Sequence, residues 1–219
     1  MGTRAALFDI DGTLVDSNYL HVDAWGRAFE DVGLLVDAWR IHRCIGMDGD
    51  KLLEALARDA DGATRDRASE LHSVYYQPSK ARLRPFARGR ELLDILAQRG
   101  FVVVLATSAP EDELKALRAT LQVEEAIAVV TSAADVGTAK PAPDIVEVAL
   151  ERAGTSAVDA VMIGDTVWDV EAAARAGVSC IGLLSGGISE GELRGAGAIA
   201  VYADVTGLLD DLAGSPLAG

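Results

Sequence analysis

The stretch Leu7-Phe8-Asp9-Ile10-Asp11-Gly12-Thr13 sets two carboxylates one residue apart, directly after an apolar run and directly before a flexible turn. Strand alternation sends side chains at i and i+2 to one face, and a chain that bends at the strand's end lets Asp9 and Asp11 approach one ligand. Two acids this close repel unless a cation lies between them, and a Mg²⁺ ion, satisfied by a few carboxylate or carbonyl oxygens plus water, meets that need. A second acidic pair follows another apolar run, in Val161-Met162-Ile163-Gly164-Asp165-Thr166-Val167-Trp168-Asp169. All strands of a parallel sheet end at one edge, where ligands bind, so Asp165 can reach the same cation as Asp9 and Asp11. Asp169 then lies one helical turn further on, placed to orient a ligand or a water.

Two weaker signals share this pattern. Thr107 and Ser108 close a third apolar run just before a helix-like stretch, where hydroxyls and backbone N–H groups make a ready anion site. Lys140 stands in Gly137-Thr138-Ala139-Lys140-Pro141-Ala142-Pro143-Asp144, a loop stiffened by two prolines that would hold an ammonium as a point charge for phosphate. Each signal alone has a plainer reading: an acidic turn that ends a strand, acids or hydroxyls that cap helices, a lysine on the surface. Together they supply a nucleophile, an acid/base, a hydroxyl anchor, a cation and metal ligands, all on strand ends or the loops leaving them.

The elements that must carry these residues alternate. Short apolar or β-branched runs at 5–9, 101–107, 127–131, 160–164, 179–184 and 198–202 read as strands; helical patterns at 89–99, 111–121, 143–153, 168–176 and 205–212 lie between them. This is the signature of βαβ units around a parallel sheet, an α/β fold. From 17 to about 84 the rhythm breaks: helical patterns at 19–32, 51–59 and 65–76, no convincing strand, and Pro78 and Pro85 at the exit, where a hinge is expected. The region looks inserted.

Length and composition agree with one domain carrying such an insertion. The chain has 219 residues, half of them apolar and a quarter charged, which excludes disorder. Its net charge of −14 disfavours nucleic acid and anionic membranes as partners and favours cations and small molecules. The segment 17–85 holds 10 of the 20 basic residues, 11 of the 34 acidic ones and all three histidines, so nearly all the negative charge belongs to the sheet. Cys44 and Cys180 form no CxxC pattern and read as reduced core thiols, and the N-terminus shows no signal peptide or membrane span, which makes the cytoplasm the default location.

In order along nearly the whole chain, these residues resemble the four motifs of the haloacid dehalogenase (HAD) superfamily of phosphotransferases: Asp9-x-Asp11-Gly12-Thr13, Thr107-Ser108, Lys140-Pro141 and Gly164-Asp165-x-x-x-Asp169. The resemblance implies a Rossmann-like parallel-sheet core over residues 1–16 and 86–219, with an inserted all-helical cap over 17–85 that closes over small substrates. It implies that Asp9 attacks phosphorus to form an aspartyl-phosphate and that Asp11 serves as acid, then base. Mg²⁺ would be held by Asp9, the Asp11 backbone carbonyl and Asp165, with Asp169 in support. Thr107, the Ser108 amide and Lys140 would bind the phosphoryl oxygens. Such a device suits phosphoryl transfer, which asks mainly for in-line positioning and charge neutralisation.

Within the superfamily, Asp11 argues against the dehalogenases and the phosphonate-cleaving branch, both of which lack an acid there. Ser17, His21 and Trp25 resemble the Thr, His and Trp of the β-phosphoglucomutase branch, whereas Ile45 and Gly49 replace the Lys and Arg that hold that branch's second phosphate. The expected function is therefore a Mg²⁺-dependent phosphatase, similar to the phosphoglycolate phosphatases, acting on a small phosphorylated metabolite. A sugar phosphomutase and a non-catalytic binding protein are the alternatives. His21, Arg43, Met47 and Lys51 are the candidate cap-side substrate contacts. Oligomeric state is not readable from the chain.

Overall fold

The computed structural model describes residues 3–107, 109–135 and 140–218. By its internal contacts the chain falls into two compact units, Met1–Asp16 with Arg84–Gly219, and Ser17–Leu83. The return crossing lies two residues earlier than expected. Arg84–Pro85 pairs antiparallel with Val15–Asp16, and so goes with the first unit.

The first unit is built on β1 (Ala5–Phe8), β2 (Val15–Asp16), β3 (Arg84–Pro85), β4 (Val102–Ala106), β5 (Val129–Thr131), β6 (Ala160–Gly164), β7 (Ser179–Leu183) and β8 (Ala200–Tyr202). Six of these form one sheet in the order β5-β4-β1-β6-β7-β8, every neighbouring pair parallel. β1 lies at the centre, with Leu7 between Val104 and Met162. All four of its residues are fully buried, as expected for a parallel strand covered on both faces.

In the second unit lie α1 (Asn18–Asp31), α2 (Ala38–Cys44), α3 (Gly49–Leu56) and α4 (Gly62–Ser79). The first unit continues with α5 (Gly89–Gln98), α6 (Glu111–Leu121), α7 (Asp144–Ala153), α8 (Val167–Arg175), α9 (Glu190–Ala196) and α10 (Val205–Asp210). On one sheet face Leu7, Val104, Met162 and Cys180 pack with Ile145, Val146 and Ala149 of α7 and with Val170 and Ala173 of α8. Each large aliphatic side chain so buried contributes about 1.5–3 kcal/mol. This is the Rossmann-like arrangement: parallel strands joined by helical crossovers, all strand ends at one edge.

The helical unit has its own core, in which Trp25 and Phe29 of α1 meet Ile41 and Cys44 of α2, Leu52 and Leu53 of α3 and Ala68 of α4. Two elements differ from the sequence reading: the helix read at 65–76 is α4, which runs on through Pro78, and α2, unmarked by any long periodic run, is an additional helix. Several strands are shorter than their apolar runs; β5 begins at Val129 and β8 at Ala200. No described helix is long and apolar enough to cross a membrane.

Candidate active site

The first acidic motif is fixed by backbone geometry. Past the end of β1, the Asp9 N–H still donates to Ile163 O at 3.0 Å, which registers Asp9 against β6. The chain then turns tightly: Ile10 O accepts from the N–H groups of Thr13, Leu14 and Val15, and Gly12 adopts φ +75°, a conformation a glycine takes without strain. Gly12 N–H donates to Val15 O at 2.8 Å and closes the turn.

Asp165 follows the last residue of β6, and Asp169 lies in the first turn of α8. Thr166 caps α8 in a reciprocal box: its hydroxyl and N–H donate to Asp169 Oδ2 at 2.6 and 3.0 Å, and Asp169 N–H donates back to Thr166 Oγ1 at 3.3 Å. The plain capping reading of Asp169 is thus true of one of its oxygens. The other, Oδ1, lies 2.7 Å from Lys140 Nζ, a charge contact without hydrogen-bond alignment. Lys140 also forms an ion pair with Asp9. Its loop is held by Arg175 of α8, which donates to Pro141 O.

Asp9, Asp165 and Asp169 are all buried and bring one carboxylate oxygen each within 4.8 Å of one another. Burial pushes the Asp9 carboxyl up to about 7 against the pull of the Lys140 ammonium, with Asp169 and Asp11 adding to the rise. Burial would lower the Lys140 ammonium, but Asp169 and Asp9 more than reverse this and hold it charged. Three carboxylates against one ammonium leave negative charge uncompensated in a low-dielectric interior, the condition that a dication relieves. The donor set, all carboxylate oxygen, suits Mg²⁺. The Asp11 side chain is not among the three converging carboxylates, and Asp11 is half-buried.

Thr107 is buried at the end of β4, its Oγ1 accepting the Ala109 N–H at 3.0 Å. Ser108 lies outside the described residues, as do Gly137, Thr138 and Ala139 of the lysine loop. The other candidates belong to the helical unit. His21 on α1 pairs its Nδ1 with His72 Nε2 at 3.1 Å and stacks on Tyr76 at 3.9 Å between centroids. Arg43 is in the last turn of α2 and Met47 in the turn that follows, both half-buried. Lys51 on α3 forms an ion pair with Glu54 at 3.0 Å, with the Lys51 side chain partly and the Glu54 side chain mostly in solvent.

Sequence reasoning missed four participants. Thr13 donates to Asp165 Oδ1 at 2.7 Å across 152 residues, although it stood in the first motif without a role. Thr166 had a readable signal, a Thr three residues before an Asp at a helix start. Ser185 and Gly186, beside Gly12 and Asp165, had none.

A family model described as haloacid dehalogenase-like hydrolase matches residues 6–183. The phosphoglycolate phosphatase of Rhodospirillum rubrum is 31% identical over 94% of this chain and 90% of its own length. The validoxylamine A 7'-phosphate phosphatase of Streptomyces hygroscopicus subsp. limoneus is 27% identical over 82% and 85%. Among solved structures, a hydrolase from Pseudomonas syringae superposes with a TM-score of 0.91 at 34% identity, covering 96% of this chain and 98% of that one.

Proposed function

The chain belongs to the haloacid dehalogenase-like hydrolases and is a phosphoric monoester hydrolase, and from that premise we propose that it is a Mg²⁺-dependent phosphatase that cleaves a small phosphate monoester through an aspartyl-phosphate on Asp9. The observation that carries this reading is the buried cluster in which Asp9 and Asp165, at the ends of the neighbouring strands β1 and β6, meet Asp169 of α8 and Lys140.

In the proposed reaction an Asp9 carboxylate oxygen adds to phosphorus in line with the ester oxygen, which leaves with a proton from Asp11. Asp11, now a carboxylate, takes a proton from the water that attacks the acyl phosphate, releasing inorganic phosphate and restoring Asp9. Lys140 favours the ionised form of Asp9 and aims it, and meets the charge on the phosphoryl oxygens; Thr107 and the Ser108 amide hold those oxygens. Asp9, the Asp11 carbonyl and Asp165 would hold Mg²⁺, supported by Asp169, and the ion would supply charge neutralisation and polarise the phosphoryl group.

Hydrolysis is favoured over mutase chemistry because Ile45, one of the positions that distinguish the mutase branch, is apolar and packed in the helical core. The names of the relatives make phosphoglycolate and validoxylamine A 7'-phosphate the substrates to try first. His21, Arg43, Met47 and Lys51 are proposed as substrate contacts. The cytoplasm is the proposed location, in keeping with the free buried thiols Cys44 and Cys180.

A phosphate-release panel with and without Mg²⁺ tests the reading. Release should require the ion, and Asp9→Asn should lose at least ~10³-fold in kcat. Turnover that survives Asp9→Asn, or a quenched reaction whose mass spectrum shows no phosphate adduct on Asp9, overturns the assigned nucleophile.

A further inference from the structure

Gly186 and Gly187 follow β7, and only one of them is a glycine for the sake of the turn. Gly187 adopts φ +84°, where a side chain is strained. Gly186 has no such φ, so its backbone would accept any residue. What excludes a side chain there is Asp165: a Cβ on Gly186 would meet Asp165 Oδ2 at 1.9 Å and Cγ at 2.7 Å. Glycine at this position allows the main chain to lie directly against the carboxylate.

The opposite side of the same carboxylate is also fixed, because Thr13 Oγ1 donates to Oδ1 at 2.7 Å in a fully buried setting. The two contacts come from different segments, the turn after β1 and the short 3-10 turn Leu184–Gly186. A hydrogen bond ties these segments together: Ser185 Oγ donates to Gly12 O at 2.6 Å. Asp165 is thus gripped on one oxygen by a hydroxyl and against the other by a glycine main chain, and Ser185 joins the two halves of the grip.

We propose that the Ser185–Gly186 turn is the positioning element for the Asp165 carboxylate, and that it holds this ligand rigidly enough to select Mg²⁺ over Ca²⁺. The inference rests on the Mg²⁺ reading above and adds to it the source of ion selectivity. Mg²⁺ demands near-ideal octahedral geometry at short distance, whereas Ca²⁺ accepts more ligands, longer bonds and irregular angles, so a stiff carboxylate favours the smaller ion and a loosened one favours it less.

Calorimetric titration of the full chain with Mg²⁺ and, separately, Ca²⁺ tests this without any turnover. Gly186→Ala should weaken Mg²⁺ binding ~10–100-fold, the usual effect of disturbing a residue that orients a metal ligand, and should weaken Ca²⁺ binding less. Ser185→Ala removes one hydroxyl and adds no bulk, and should move both affinities in the same direction by a smaller factor. Unchanged Mg²⁺ affinity in a folded Gly186→Ala, or equal weakening of both ions in both variants, overturns the proposal. If Gly186→Ala does not fold, Ser185→Ala decides alone, and an unchanged ratio of the two affinities overturns it. An unmutated chain that binds neither ion overturns the Mg²⁺ reading and this inference together; the other outcomes overturn the inference only.

Discussion

Each unit buries a titratable nitrogen, and the two treat it in opposite ways. In the sheet unit Lys140 is 2% exposed and stays charged, because Asp9 and Asp169 outweigh the cost of burial. In the helical unit His72 is 8% exposed and is driven neutral, down to about 3, first by burial and then by the neighbouring His21. Its surroundings are rings: Trp25 stacks on it at 4.2 Å between centroids, with His21 and Tyr76 beside it. One unit spends its interior on concentrated charge; the other spends it on apolar and aromatic packing. A buried charge that neighbours actively sustain marks a place built for ionic chemistry, whereas a buried group allowed to neutralise marks a place built for shape.

Of the variants that probe this contrast, Lys140→Met should have the largest effect. It leaves Asp9 and Asp169 without their cation, so kcat should fall ~10²–10³-fold. In divalent-free buffer, urea unfolding should report a loss of about 3–5 kcal/mol, the usual cost of breaking a buried ion pair. Mg²⁺ should restore part of that stability. A variant as stable as the parent without Mg²⁺ would mean that the charge cluster does not sustain itself as described.

His72→Phe keeps the ring stack and removes the titration. With a folded value of about 3 against 6.5 for the free group, the unfolded chain binds more protons between those values. Stability from this group is complete above about pH 6.5 and falls with acidification, by up to ~1.4 kcal/mol per pH unit. Urea melts at pH 7 and pH 4.5 should therefore show a smaller acid loss for His72→Phe than for the parent. Equal losses would show that His72 takes up its proton as readily folded as unfolded.

Lys51→Ala should have the smallest effect, changing stability by no more than about 0.5 kcal/mol, since the Lys51–Glu54 pair is solvent-screened. That neutrality makes it a clean probe: a raised KM with unchanged kcat would assign Lys51 to substrate binding, and an unchanged KM would remove it from the candidates.

The same contrast explains what could be read from the chain. Asp9 and Asp165 were legible because each ends an uninterrupted apolar run, and a parallel sheet places such ends together whatever the details of packing. The βαβ alternation fixed the class of fold for the same reason. The β2–β3 pair was not legible, since two residues per strand are too few to show alternation. Neither was α9, seven residues containing Gly191 and Gly195, although Ser189 and Glu192 form a capping box there. His72 meets His21 across 51 residues through the packing of α1 on α4, and no local pattern encodes that meeting. Gly186 was hidden because a glycine chosen to avoid a neighbour's side chain looks like a glycine chosen for a turn.

The small β2–β3 ribbon bears on how such a molecule is assembled. Asp16 pairs directly with Arg84, so the polypeptide leaves the sheet unit and re-enters it on adjacent strands, about 5 Å apart. A tight two-residue bend would bridge that gap as well as the whole Ser17–Leu83 excursion does. The helical unit is in effect an overgrown hairpin loop, both of whose ends meet on one antiparallel pair.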